Sequence, residues 1–200
     1  MDSVVSLGYN SKFEGSGFVM FTSQPAFLVM TCEHVVGSYK SIQVTFPGKT
    51  KWYSAGVRWT DKDADLALLR FAPDGDCSRC AALQFADPNT TALNSGNVEM
   101  IAFHATSPGR LLYPGVFDGC ITAEPEDGKI TCNYASEHGT SGGPVLKRNK
   151  VVGVHKESLE VVKKAVSVVT VLDTLRKRHP NPGFRIAVFI LPQPKSDLHT

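Results

Sequence analysis

Three short segments carry residue types that could cooperate in one reaction. In Met30-Thr31-Cys32-Glu33-His34-Val35-Val36 an apolar run ends in a histidine. In Asp63-Ala64-Asp65-Leu66-Ala67-Leu68-Leu69 an aspartate opens an apolar run. Glu137-His138-Gly139-Thr140-Ser141-Gly142-Gly143-Pro144-Val145 is a glycine-rich turn around a serine. A serine hydroxyl is a poor nucleophile at neutral pH and needs an adjacent base. His34 can be that base and can return the proton to a leaving amine. Asp65 can fix the imidazole tautomer and stabilise the imidazolium. The glycines let the backbone bend so that amide N–H groups face a developing oxyanion, and Gly139 and Ser141 are the candidate donors. Read alone, each segment also suits a plain structural role: a histidine after a strand, a strand start, a turn. Together they suit acyl transfer.

Elements must bring these segments together. Short apolar runs alternate with Gly, Pro, Asn and Asp, the pattern of an all-β barrel or sandwich. Val- and Phe-rich runs fall at Gly17–Thr22, Ala26–Cys32, Ser41–Phe46, Trp52–Trp59 and Asp65–Phe71. A polar stretch follows from Ala72 to about Asn97. A second set runs through Val98–His104, Leu111–Ala123, Lys129–Tyr134, Pro144–Leu146, Val151–His155 and Ala165–Val171. This predicts two groups of strands: residues 1–75 carrying His34 and Asp65, a linker at 76–96, and residues 97–200 carrying Ser141. Glu124-Pro125-Glu126-Asp127-Gly128 predicts a hairpin turn. One helix is predicted at Asp173–His179, stopped by Pro180, with a last strand at Phe184–Leu191.

The 200 residues are 42% hydrophobic and 20% charged, which suits one or two folded domains over a disordered chain. The formal net charge of +2 is too small to argue for nucleic acid by itself. Basic clusters at Lys147-Arg148-Asn149-Lys150 and Arg176-Lys177-Arg178 read as a hairpin turn and a solvated helix face, so they lend RNA binding little support. The opening Met1-Asp2-Ser3-Val4-Val5 shows no basic-then-apolar signal, and the longest apolar runs are far short of the ~20 residues of a membrane span. A cytoplasmic setting is the expectation, although a fragment cut from a longer precursor would read the same. Five cysteines at irregular spacing fit free thiols better than a disulfide framework. Cys77-Ser78-Arg79-Cys80 is half of a zinc spacing with nothing to complete it, so neither metal nor cofactor is expected. Cys32 reads as a small buried residue beside the base. Cys120 and Cys132 flank one hairpin and read as free thiols.

The order His, Asp, Ser separates this arrangement from the α/β-hydrolase and subtilisin ones. The three segments resemble the trypsin/chymotrypsin superfamily, whose motifs run Thr-Ala-x-His, Asp-[Ile/Leu]-Ala-Leu-Leu and Gly-[Asp/Asn]-Ser-Gly-Gly-Pro. The resemblance covers about Gly15 to Thr170. It implies an all-β fold of two six-stranded antiparallel barrels with the catalytic residues in the cleft between them, followed here by a short C-terminal helix. It also implies a polypeptide substrate. Two departures stand out. Cys32 and Glu33 replace small residues before the histidine. Thr140 stands where blood and digestive proteases carry the aspartate that pairs with a newly cut N-terminus, so activation by that ion pair is not expected. The Gly-Thr-Ser-Gly-Gly-Pro form is closer to the HtrA/Deg-like and viral branches.

In that family the walls of the specificity pocket flank the serine, here at Tyr134-Ala135-Ser136 and Val152-Gly153-Val154-His155-Lys156. No acid stands at Ala135, so a demand for Arg or Lys is not supported. His155 resembles the histidine that reads Gln or Glu in glutamyl endopeptidases and 3C-like viral proteases, with Ser136 assisting. A strand histidine with no substrate role is the alternative. Lys156-Glu157-Ser158 lacks the glycine that usually continues the motif. His138 is placed on the oxyanion loop, lining the substrate site, and His104 at a strand end away from Asp65. The leading expectation is a 3C-like serine protease of a positive-strand RNA virus, acting on its own polyprotein. The alternatives are an intracellular HtrA/Deg-like peptidase and an inactive protease-fold binding protein.

Overall fold

The computed structural model describes residues 2–10, 12–23, 26–73, 80–89, 93–104, 113–159 and 162–179. The predicted strand at Phe184–Leu191 and the residue Cys77 lie outside them. Among the described residues, twelve strands form two closed barrels. The first comprises β1 (Val4–Tyr9), β2 (Lys12–Ser23), β3 (Ala26–Thr31), β4 (Ser41–Thr45), β5 (Tyr53–Asp61) and β6 (Leu66–Phe71), closed in the order β1-β2-β3-β6-β5-β4. The second comprises β7 (Gly96–Ala102), β8 (Gly115–Glu126), β9 (Lys129–Cys132), β10 (Pro144–Lys147), β11 (Lys150–Leu159) and β12 (Val162–Ser167), closed in the order β10-β11-β12-β9-β8-β7. All strand pairs are antiparallel. Closure removes the free edges that an open sheet would expose. The fold class is the one the motifs implied.

Local chemistry explains the hairpins. The β8–β9 turn is Asp127-Gly128 and the β10–β11 turn is Arg148-Asn149, and all four residues have positive φ. Two successive residues at positive φ give a turn whose twist matches the strands it joins. Strand β8 therefore runs on to Glu126, and the predicted turn at Glu124–Gly128 contracts to its last two residues.

Two assignments change. Strand β1 was not among the predicted runs. Val4, Val5, Ser6 and Leu7 are all buried, so the strand shows no alternation to read. The predicted strand at Ala165–Val171 is instead the end of β12 followed by helix α2 (Val168–Arg178). The Ser167 hydroxyl caps that helix by accepting from Thr170 N at 3.3 Å. Val168, Val171, Leu172 and Leu175 are buried at helical spacing. Helix α2 ties back to the first barrel. Trp59 Nε1 donates to His179 Nε2 at 2.8 Å, and Arg178 pairs with Asp61 at 3.1 Å. Among the described residues no helix is long and apolar enough to cross a membrane.

The barrels are joined by hydrogen bonds that start from Ser16 on β2. Its N–H donates to Ser141 O at 2.9 Å, and its hydroxyl lies 2.9 Å from Gly139 O. The same hydroxyl accepts from Phe103 N at 2.9 Å, and Ser16 O accepts from Thr31 Oγ1 at 2.7 Å. The linker adds Leu83 N to Val19 O on one side, then Ala86 N and Val151 N exchanged with Val151 O and Gln84 O on the other. Ser16 is fully buried, so an alanine there would leave a main-chain N–H and a carbonyl without their partner. Ser16→Ala is expected to lower unfolding free energy by about 1–3 kcal/mol, read by urea titration. An unchanged midpoint would show that the junction does not hold the barrels.

Candidate active site

Each segment singled out from the sequence ends at the cleft. Strand β3 delivers Cys32 and then α1 (Glu33–Val36), a single turn carrying His34. The β5–β6 connection delivers Asp65, in the left-handed region at φ +53. A non-glycine residue held there marks a conformation imposed by its surroundings. The imposed geometry aims the carboxylate at His34. Its Oδ2 lies 2.8 Å from His34 Nδ1, and its Oδ1 accepts from the His34 main-chain N–H at 3.0 Å. One carboxylate thus grips both the ring and the backbone of the histidine.

Burial opposes ionisation of Asp65. The bonds and charge from His34, together with Lys156 Nζ at 3.8 Å, outweigh it and hold the carboxyl below its usual range. The Asp65 side chain is 7% exposed and that of His34 is 47% exposed, so the acid is shielded while the imidazole opens to the cleft.

The serine turn is organised by its own hydrogen bonds. Thr140 is buried and its hydroxyl donates to Glu137 O at 2.8 Å. Thr140 N donates to Glu137 O, Gly143 N to Thr140 O and Gly142 N to His155 O. Gly139 and Gly142 adopt φ +94 and +85. A Cβ on Gly142 would lie 2.1 Å from Ser16 O, so both its conformation and its space require glycine. These bonds engage the N–H groups of Thr140, Gly142 and Gly143. The N–H groups of Gly139 and Ser141 have no acceptor among the described residues. A turn that satisfies its other amides while leaving these two can bind an oxygen that becomes negative.

The Ser141 hydroxyl donates to Lys156 O at 3.3 Å, and its described bond is to this carbonyl and not to His34. Rotation about one side-chain bond redirects such a hydroxyl. The residues expected to flank the serine as pocket walls differ in burial. His155 is buried, and its Nδ1 lies 3.0 Å from Tyr134 OH with the rings edge to face. Burial, Lys163 and His34 push the His155 imidazole down to about 4. Burial pushes the Tyr134 hydroxyl well up, so it stays protonated. Ala135 and His138 are exposed and Ser136 is half-buried. His104 Nδ1 lies 2.9 Å from Glu137 Oε2, away from Asp65.

Cys32 is fully buried, and its thiol donates to His155 O at 3.2 Å. Cys32, His34 and Asp65 place ligand-type atoms within 4.8 Å of one another. The donor set does not suit a cation. Burial holds the thiol protonated, Nδ1 is committed to Asp65, and Lys156 adds positive charge. Cys120 and Cys132 are both free, and burial pushes the Cys132 thiol up to about 12.

Four contributors lay outside the sequence reading. Ser16 and Thr31 are small polar residues inside strands, with no local signal of their part in the barrel junction. Phe13 packs where a Cβ on Gly139 would fall, 2.1 Å from its Cε1, and only the tertiary contact reveals it. Lys156 drew attention as a departure from a glycine pattern, but its approach to Asp65 depends on the fold.

Two Arabidopsis thaliana proteins are similar to this chain. A Do-like protease, Do-like 13, is 28% identical over 153 residues. The mitochondrial Do-like 3 is 29% identical over 154 residues. Each alignment covers 74% of this chain but only 30% and 26% of the relatives, so the chain spans under a third of their length. Among solved structures, the serine endoprotease from Yersinia pestis superposes with a TM-score of 0.71 at 20% identity, covering 90% of this chain and 64% of the other. The Rv3671c protease in its inactive form superposes at 0.67 with 22% identity, covering 89% of both chains. At these identities the superpositions speak for the fold. Residues 15–154, well over half the chain, match the family described as trypsin-like peptidase domain, and the chain belongs to that family.

Proposed function

We propose that the chain is a serine endopeptidase of the Do-like kind, with Ser141 as nucleophile, His34 as general base and Asp65 as the carboxylate that orients it. The observation that carries this reading is the double grip of Asp65 on His34 beside a serine turn with two uncommitted N–H groups. The Ser141 hydroxyl would leave Lys156 O, pass its proton to His34 and attack a peptide carbonyl carbon. The carbonyl oxygen would take up negative charge against the N–H groups of Gly139 and Ser141. His34 would give the proton to the leaving amine, and water would then release the acyl group by the same steps in reverse. The similarity to Do-like proteases supports this branch over a viral one.

The residue before the scissile bond is assigned to the pocket holding His155, with Ala135, Ser136 and His138 at its approaches. With Tyr134 as the donor to Nδ1, 3.0 Å away, the proton of a neutral imidazole would stand on Nε2. A neutral N–H donor suits the carbonyl oxygen of glutamine, whereas a carboxylate would gain more from an imidazolium. The pocket therefore favours Gln over Glu. The same Tyr134–His155 pair favours a second reading, a 3C-like polyprotein-processing protease that cuts after glutamine.

Three tests, of the nucleophile, of the pocket and of the burial of His155, address these assignments. Ser141→Ala should abolish both peptide hydrolysis and labelling by a fluorophosphonate, with the fold retained. Full activity in that variant would remove the catalytic assignment. A peptide library should return Gln ahead of Glu, Arg, Lys and Phe before the cleaved bond. His155→Ala should cost about one to two orders of magnitude on the best Gln peptide, as for the loss of one buried hydrogen bond. A profile led by Arg, Lys or large aromatics would overturn the pocket. The third test is thermodynamic. His155 binds a proton more weakly folded, at about 4, than at its ordinary 6.5. As pH falls below 6.5 the unfolded chain takes up that proton first, so stability is lost down to about 4 and is fully present above 6.5. The urea midpoint of the wild type should fall across this window more steeply than that of His155→Gln. Parallel curves would show that His155 is not buried neutral.

A further inference from the structure

We propose that Lys156 is a positioning residue whose ammonium sets the acid limit of activity by offsetting part of the Asp65 charge that His34 feels. The inference rests on the reading of His34, Asp65 and Ser141 as a working triad. Three observations carry it.

The first is contact. Lys156 Nζ lies 3.8 Å from Asp65 Oδ2, the same oxygen that accepts from His34 Nδ1. Its main-chain carbonyl accepts from Ser141 Oγ. One residue therefore touches both ends of the constellation.

The second is backbone design. In the β11–β12 ladder His155 pairs with Ala165 and Glu157 with Lys164, so Lys156 is the extra residue of a bulge. A bulge breaks the alternation of a strand and re-aims a side chain. Here His155 meets Tyr134 while Lys156, the next residue, reaches the Asp65 carboxylate.

The third is burial. The Asp65 side chain is 7% exposed and that of Lys156 is 21% exposed, so bulk water screens the pair only partly.

The groups around the imidazole come from four elements. Asp65 faces it from the β5–β6 connection, and Glu33 precedes it on α1. Cys32, at the end of β3, is neutral because burial pushes its thiol up. From β11 come Lys156 and His155, and His155 is neutral near pH 7. Among the described residues, Lys156 is the cation paired with the carboxylate that must stabilise the imidazolium. A positive charge there disfavours the protonated ring.

The experiment compares kcat/KM against pH for the wild type, Lys156→Met and Lys156→Arg on one uncharged peptide substrate. Removing the ammonium favours the imidazolium, so the acid limb of Lys156→Met should move to higher pH. The expected shift is about half a pH unit or more, the scale of one charge several ångströms away in a partly screened site. Lys156→Arg keeps the charge and should keep the wild-type limb. A residue that only fills space would lower the plateau without moving the limb. Lys156→Gln supplies a second neutral variant should the Met side chain fail to fold. Coincident acid limbs in wild type and a folded neutral variant would overturn the inference. If wild-type Ser141 takes no fluorophosphonate label, the triad reading fails instead, so the two failures are distinguishable.

Discussion

The main-chain and hydroxyl bonds of Ser16 fix the distance between two barrels that are each complete without the other. Closed barrels offer no free strand edge, so little can hold one against the next except packing and such buried bonds. Ser16 reaches Ser141, Gly139 and Phe103 from one position on β2. Those partners belong to the serine turn and to the strand beside it. The junction that joins the barrels therefore also fixes where the serine turn sits relative to His34. Thr31, just before the His34 segment, donates to Ser16 O and so brings the histidine strand into the same network.

A second constraint is the balance of charge in a partly dry cleft. Asp65 is an ionised carboxylate in a buried position, which is costly unless it is paired and hydrogen-bonded. It receives the ring and main-chain N–H of His34 and the approach of Lys156. Two of its neighbours are neutral: Cys32 keeps its proton, and His155 lacks one because burial pushes it down to about 4. Tyr134 orients His155 as Asp65 orients His34. The partner is a carboxylate for one imidazole and a hydroxyl for the other.

The serine turn shows how backbone geometry becomes chemistry. Two residues at positive φ allow Thr140, Gly142 and Gly143 to satisfy their N–H groups within reach of the chain itself. What remains is a pair of amides, those of Gly139 and Ser141, with no acceptor among the described residues. Phe13 and Ser16 pack so tightly against Gly139 and Gly142 that no side chain could be added there. The backbone of the turn is thus held by contacts already present in the fold.

The sequence by itself determined the family and the barrel class, and it singled out His34, Asp65 and Ser141 as candidates, because each was written locally. Period-two burial in strands such as β4, turn residues such as Asp127-Gly128, and the Gly-Gly-Pro run after Ser141 are properties of short segments. Strand β1 escaped because burial of both faces erased its alternation, and the start of α2 escaped because Val168 and Val171 are as much at home in a strand as in a helix. Only the tertiary structure decided the partners. Ser16 and Gly139 stand far apart in sequence, as do Tyr134 and His155, and their bonds exist because closure and docking of the barrels set those positions. Lys156 is the sharpest case. Strand alternation alone would turn it away from the site, and a bulge that depends on the register of β12 turns it toward Asp65. Local preference is encoded residue by residue, whereas register and docking emerge from the whole chain.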